Sequence, residues 1–250
     1  MSKAILFDAT ECIGCLECEG ACAQQNGLPY DETIAQAKKM SETKVTYVAT
    51  GPDETYMRRL CMHCEDPACA SVCPVEALVK TPEGPVAYYG DKCMGCRYCM
   101  VACPFSVPKY EWSKAIPRVT KCTLCGDRTG MTTGCAEACP TGATMVGDRT
   151  QLLAEAHRRI SQNPGTYLNH IYGEDEVGGT SVLMISAVPF GEFGLPTQYG
   201  PTPLPQLTGA VLAHIPDVVT VGGVVLGGIY WITHRREIVA KVENDEKDEH

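Results

Sequence analysis

The stretch from Cys93 to Pro104 reads C-M-G-C-R-Y-C-M-V-A-C-P. Three cysteines recur at every third residue, a fourth follows four positions later, and a proline closes the run. This is the C-x2-C-x2-C-x3-C-P spacing that holds [4Fe–4S] clusters. A tight loop with a cysteine at every third position can wrap three iron corners of a cubane. The remaining iron must be reached from elsewhere in the chain. Where two such runs occur together, the fourth cysteine of each serves the other's cluster. Proline directly after that cysteine has a fixed φ and no N–H, so it ends the run and turns the chain.

The pattern occurs four times, and an internal repeat constrains the fold before any single residue does. The first copy is Cys12, Cys15, Cys18 and Cys22. The second is Cys61, Cys64, Cys69 and Cys73, the third Cys93, Cys96, Cys99 and Cys103. The fourth is Cys122, Cys125, Cys135 and Cys139, with Gly126 to Gly134 inserted inside its loop. Pro74, Pro104 and Pro140 follow three of the runs, and Ala23 takes that place in the first. All 16 cysteines are used, enough for four cubanes. Zinc sites favour two C-x2-4-C pairs, and three cysteines in seven residues crowd a tetrahedral ion. Disulfide frameworks belong to small secreted domains, and cysteines three apart in a tight loop are poorly placed to cross-link. Fourth cysteines must be exchanged between partner runs. Nested pairing, first with fourth and second with third, is favoured; spacing alone leaves adjacent pairing open.

A strand, cysteine loop, helix, strand rhythm predicts an α+β fold of two ferredoxin-like modules over residues 1–150, with Gly27 to Arg59 as an insertion. Ile5 to Asp8 reads as a strand entering the first loop, Cys18 to Gln25 as a short helix and Val45 to Thr50 as a strand. Ala77 to Lys80 and Val86 to Tyr89 flank a Pro/Gly loop and read as a hairpin. Phe105 to Thr120 reads as a Pro-punctuated connector, and Thr144 to Val146 as a closing strand. Thr150 or Asp148 caps a helix from Gln151 to Ser161 whose apolar face is Leu152, Leu153, Ala156 and Ile160. Residues 151–208 then form a second region. Val182 to Val188 is a buried strand there, and Phe190 to Pro205 an extended linker on the surface.

The formal charge is −9, before the cluster charges of about −2 each that four thiolates and an oxidised cubane would add. That balance argues against a nucleic-acid partner, which wants a basic stripe. Glu11, Glu17 and Glu19 crowd the first run, whereas Lys92 and Arg97 flank the third. The first-run cluster is therefore expected to have the lower potential, and Glu17→Gln to raise it. Lys38, Lys39, Arg58 and Arg59 read as solvated surface, and His63 as a residue beside the second cluster or on the surface. No nucleophile–base pair, G-x-G-x-x-G loop or open metal site stands out, so a non-catalytic chain is expected.

From Ile160 to Thr233 there is no Lys or Arg. Within this region Val218 to Thr233 is uncharged and apolar, and extending it back to Gly209 adds only His214 and Asp217. At 1.5 Å per residue, residues 209–234 are long enough to cross a hydrocarbon core of about 30 Å. Tyr230 and Trp231 sit where an aromatic belt would, and Gly223 and Gly227 would let another helix approach closely. His234, Arg235, Arg236 and Lys241 follow at once. The positive-inside rule then puts the C-terminus in the cytoplasm and the cluster domain outside. Residues 235–250 read as an acidic cytoplasmic tail, and His214 and His234 as interfacial.

Four such runs followed by one C-terminal span resemble the iron–sulfur (β) subunit of membrane-bound respiratory formate dehydrogenase and [NiFe] hydrogenase complexes. Beyond the runs, the resemblance rests on Cys61-Met-His-Cys64 and on Ile171-Tyr-Gly-Glu-Asp-Glu-Val-Gly-Gly-Thr180 with Val188-Pro189 following. It implies four [4Fe–4S] clusters with these ligand sets: Cys12, Cys15, Cys18 and Cys139; Cys122, Cys125, Cys135 and Cys22; Cys61, Cys64, Cys69 and Cys103; Cys93, Cys96, Cys99 and Cys73. It also implies a catalytic molybdopterin or [NiFe] partner, a membrane cytochrome b or quinone-reactive partner, and electron relay in anaerobic respiration. Only eleven residues precede Cys12 and none is a twin arginine, which resembles formate dehydrogenase members exported with a signal-bearing partner. The competing expectation is a soluble cytoplasmic polyferredoxin serving several redox partners.

Overall fold

The computed structural model describes residues 2–128 and 130–248. Its organising strand is β1 (Lys3–Asp8), every residue of which is buried. β1 lies at the centre of a three-stranded sheet, antiparallel to β8 (Thr144–Asp148) and parallel to β9 (Val182–Ile185). Side chains alternate across a strand, and β1 uses both faces. Ala4 and Leu6 pack with Leu152 and Ala156 of α6 (Arg149–Gln162) on one side. Ile5 and Phe7 face the opposite way, into the core that holds Cys61, Cys122 and Cys135. One strand thus joins a helix-covered face to the cysteine-bearing face.

The helix α6 starts where Asp148 accepts a hydrogen bond from the Thr150 N–H, so Asp148 is the cap. Its last turn carries Arg159, which reaches back to the buried carboxylate of Asp8 at 2.8 Å. Asp8 also accepts from the Tyr167 hydroxyl at 2.9 Å and from the N–H and hydroxyl of Thr10. A buried carboxylate tolerates burial only when its lone pairs are met in this way.

The four cysteine runs each lead into a short helix. These are α1 (Glu17–Gln25), α3 (Ala68–Ser71), α4 (Tyr98–Ala102) and α5 (Gly134–Glu137). α1 packs on α5, and α3 on α4. The insertion supplies α2 (Glu32–Ala35) and the hairpin β2 (Tyr47–Thr50) with β3 (Tyr56–Arg59). A second hairpin, β4 (Leu78–Lys80) with β5 (Val86–Tyr88), lies between the second and third runs. The segment read as a plain connector after the third run is a third hairpin, β6 (Lys109–Tyr110) with β7 (Val119–Thr120). The strands are too short for a two-residue period to show in sequence.

Two further differences from the sequence reading have clear causes. Residues after 150 do not separate from the cysteine runs, because β9 pairs directly with β1, and the chain up to Pro205 is one compact unit. The first part of Phe190 to Pro205 departs from the expected surface linker, whereas most of residues 196–203 is exposed as expected. A 3-10 turn at Phe190–Phe193 drops Phe190, Phe193 and Leu195 into the main core. Phe190 lies 5.0 Å from the Tyr172 ring and 5.4 Å from His170. The Gly and Pro residues there shape a turn around aromatic anchors rather than a loose strap.

The second unit begins at Gln206. It is carried by α7 (Leu204–Asp248), a single helix with Pro216 inside it. Within residues 204–241 an 18-residue stretch reaches a mean hydropathy of 1.7, and none of that stretch is buried against protein. The helix also runs through the start of the expected acidic tail, to Asp248; Glu249 and His250 lie outside the described residues.

Phe190→Ala should remove a core ring and cost about 3–5 kcal/mol. The expected result is a clear fall in apparent melting temperature, whereas Tyr89→Ala, on a half-exposed side chain, should change it little.

Candidate functional site

All 16 cysteines are unbridged. Three small cavities are each rimmed by one set of four. Cys12, Cys15, Cys18 and Cys139 line the first. Cys22, Cys122, Cys125 and Cys135 line the second. Cys73, Cys93, Cys96 and Cys99 line the third. The remaining four, Cys61, Cys64, Cys69 and Cys103, are mutual neighbours: Cys64 lies within electrostatic reach of the other three. In each set, three sulfurs come from one run and the fourth from the run whose helix packs against it. Among the described residues no three His, Cys, Asp or Glu side chains meet tightly enough to hold a single ion.

The loops share one backbone device. The residue just before the second cysteine of every run has a left-handed φ: Gly14 at 68°, His63 at 50°, Gly95 at 75° and Leu124 at 54°. That conformation curls the loop around its own cavity. Glycine adopts it without steric penalty, whereas other residues adopt it at a cost of about 1–2 kcal/mol. At Gly14 a side chain would also strike the Tyr56 ring at 2.6 Å, and at Gly95 the Tyr110 hydroxyl at 2.8 Å. A tyrosine from a neighbouring hairpin strand thus closes over each of these two loops.

The run ends share a second device. Three residues after the last cysteine, Glu76, Ser106 and Gly142 have φ of 51°, 53° and 72° and bond back to the carbonyls of Cys73, Cys103 and Cys139. The turn aims the next N–H groups at sulfur; Ala77 N donates to Cys73 Sγ at 3.2 Å. The first run lacks this turn because Ala23 lets α1 continue to Gln25. Asn26 takes over there, donating to the Cys22 carbonyl at 2.7 Å and reaching its sulfur at 3.6 Å.

Burial is the dominant influence on the thiols. It pushes Cys18 and Cys99 up to about 11 and Cys22 and Cys69 to about 12. Cys139 and Cys135 are exceptions: hydrogen bonds from Thr144, Thr141 and Ala143 outweigh burial at Cys139 and leave it lowered, and Cys135 shows a second cause. Burial raises it too, but the positive charge of Arg58 and a bond to Thr133 outweigh that and leave it lowered. Arg58 is fully buried, which corrects its reading as a surface residue. Its Nε donates to Thr46 Oγ1 at 3.2 Å, and both terminal nitrogens lack a hydrogen-bond partner. Arg59 is half-buried and donates to the Phe193 carbonyl at 2.8 Å. Lys38 and Lys39 are exposed, as expected.

Two more cations are buried against carbonyls alone, among the described residues. Lys121 donates to the carbonyls of Val86 and Cys122, and Lys3 to those of Cys125, Arg128 and Thr132. Buried cations without a carboxylate, and an arginine with orphaned donors, are costly unless an anion sits beside them. Four converging thiols, a lining of N–H donors and these cations are the donor set that an anionic iron–sulfur cluster requires. His63 is fully buried too. Its Nδ1 accepts the Val86 N–H at 2.9 Å, and burial, with Lys121 and Lys80 close by, holds its pKa far below the usual histidine value.

The segment Ile171 to Thr180 clamps the second run. Glu65 N–H donates to Gly179 O, while Ser181 and Val182 donate to the carbonyls of His63 and Met62. Gly173 has φ +98°, and any side chain there would strike the Val182 carbonyl at 2.3 Å. Around the first run, Glu19 is buried, paired with Lys44 at 2.6 Å and bonded to the Val48 N–H at 2.6 Å. Glu11 and Glu17 are exposed to solvent. At the third run Arg97 lies over the Tyr110 and Trp112 rings, also exposed.

Residues 52–149 match the 4Fe-4S dicluster domain family. A protein of Nitratidesulfovibrio vulgaris is 43% identical over 98% of this chain and 70% of its own length. The hydrogenase-2 operon protein HybA of Escherichia coli O157:H7 is 37% identical, covering 78% of this chain and 73% of its own. The formate dehydrogenase iron-sulfur subunit of Haemophilus influenzae is 30% identical over 99% of this chain and 84% of its own. The chain belongs to the iron–sulfur subunits of respiratory formate dehydrogenases and hydrogenases. That membership accounts for the donor set: these are chains built to hold [4Fe–4S] clusters.

Gly14→Ala should combine a left-handed φ with a ring clash. The expected result is loss of the iron of one cluster, read by iron analysis after anaerobic purification. Gly27→Ala has a φ of +60° but nothing within 4 Å, and should retain full iron.

Proposed function

We propose that this chain relays electrons between a catalytic subunit, a molybdopterin formate dehydrogenase or a [NiFe] hydrogenase, and a membrane cytochrome b or quinone-reactive subunit, without turning over a substrate itself. The observation that carries this is the convergence of cysteines in sets of four, each drawn from two runs. We assign four [4Fe–4S] clusters to the sets Cys12, Cys15, Cys18, Cys139; Cys122, Cys125, Cys135, Cys22; Cys61, Cys64, Cys69, Cys103; and Cys93, Cys96, Cys99, Cys73. The packing of α1 on α5 and of α3 on α4 supports reading the runs as two ferredoxin-like modules, first with fourth and second with third.

When bound, such a cluster takes up and releases one electron at a time, at a potential set by charge, hydrogen bonds to sulfur and exposure. The chain's own residues set those terms. Cysteines fix the position of iron; turn N–H groups such as that of Ala77 bond to sulfur. Tyr56 and Tyr110 pack against Gly14 and Gly95 of the first and third loops. Lys3, Arg58 and Lys121 supply buried positive charge.

The helix Leu204–Asp248 supports a membrane attachment rather than a soluble polyferredoxin. Valine, leucine, isoleucine and aromatic side chains are exposed along it, which water disfavours and lipid accepts. Arg235 stacks on Trp231 near the end of the apolar stretch, as a basic anchor beside an aromatic belt would. We place the C-terminus in the cytoplasm and the cluster domain on the outer side of the membrane.

Cys99→Ser in the intact membrane complex tests the relay. Dye reduction by the catalytic subunit with formate or hydrogen should persist, while quinone reduction falls at least tenfold. Equal quinone reduction in variant and parent would contradict the reading. A C-terminal tag should be cleaved by protease in inside-out vesicles and protected in spheroplasts; the reverse would invert the orientation.

A further inference from the structure

We infer that the buried guanidinium of Arg58 is shared by the two clusters of the first and fourth runs and raises the reduction potential of both. This rests on the cluster assignment above. Arg58 rims the cavity of Cys22, Cys122, Cys125 and Cys135. Its cross-strand partner Val48 lines the neighbouring cavity of Cys12, Cys15, Cys18 and Cys139, and its charge also acts on Cys18 and Cys12 there. One side chain therefore rims one cavity and stands beside the other.

The side chain is held in place rather than loosely packed. Thr46 Oγ1 accepts from Nε, and the Thr46 hydroxyl in turn donates to the Arg59 carbonyl at 3.0 Å. That anchor leaves both terminal nitrogens without a carboxylate or carbonyl partner among the described residues, beside the Cys135 sulfur. The nearby carboxylate that could neutralise Arg58, Glu19, is already paired with Lys44. The guanidinium is also fully buried, so water and salt do not screen it. A charge in that setting acts several-fold more strongly than one in water.

A cluster gains one negative charge on reduction. A fixed positive charge beside it stabilises the reduced form more than the oxidised one. The charges that the sequence brings forward act from worse positions. Glu11 and Glu17 are exposed beside the first run, and Lys92 and Arg97 are exposed beside the third. The buried arginine therefore outweighs the surface acids and works against the low first-run potential that they alone would give.

The test is a redox titration followed by electron paramagnetic resonance on the full chain in its membrane complex, with iron and sulfide measured on each sample. Arg58→Gln removes the charge; Arg58→Lys keeps it. In Arg58→Gln with full iron, two of four midpoints should fall and the other two stay. Arg58→Lys should lie closer to the parent. Unchanged midpoints in a fully loaded Arg58→Gln, or an equal shift of all four, would overturn the inference. If Arg58→Gln does not load, Arg58→Lys and Arg58→Met decide. Loading by lysine alone shows that charge is required, whereas Arg58→Met loading at parental potentials overturns the claim. A parent chain without four cubanes would instead refute the cluster assignment, and iron analysis distinguishes that failure from the first.

Discussion

Cysteine sulfur carried into a protein interior resists losing its proton unless positive charge meets it there. In this chain that cost recurs through the interior, since burial lifts Cys22 and Cys69 to about 12. Binding iron must displace those protons, so loading and folding are coupled. The rest of the unit up to Pro205 can be read as the means of meeting this cost. Left-handed residues curl each loop, turns direct N–H groups at sulfur, and buried cations stand where anionic clusters would need them. The sheet around β1 fixes the frame, with Ile5 and Phe7 packed toward the cysteines and Ala4 and Leu6 toward α6.

Much of this was legible in the cysteine spacing, because three ligands of each set are local. Of the two caps the sequence offered for α6, Thr150 and Asp148, it is Asp148 that accepts from the Thr150 N–H. Elements whose signal is long-range were harder to read. Arg58 gives no local sign of burial. Its cross-strand partner is Val48, an inward-facing residue, and residues opposite each other in a hairpin share a face. Only the register of β2 against β3 reveals this. Phe190 and Phe193 were hidden for another reason: Gly and Pro around them suggest an exposed strap, while the two rings decide where the turn goes.

The acids counted along the first run differ in setting. Glu19 is paired with Lys44 and bonded to the Val48 N–H, and Glu11 and Glu17 face water. The charge buried beside this run is that of Arg58. In the segment Ile171 to Thr180, Gly173 and Thr180 bond to each other and hold its turn, while Gly179 and the following Ser181 and Val182 bond to the backbone of the second run, so the stretch has a packing reason.

The central claim is that all sixteen cysteines hold four iron–sulfur cubanes in one chain. The most direct measurement is iron, sulfide and zinc per chain, on the complex isolated anaerobically from membranes. The account predicts about sixteen iron and about sixteen sulfide with negligible zinc. Half that iron, or zinc in its place, would contradict it.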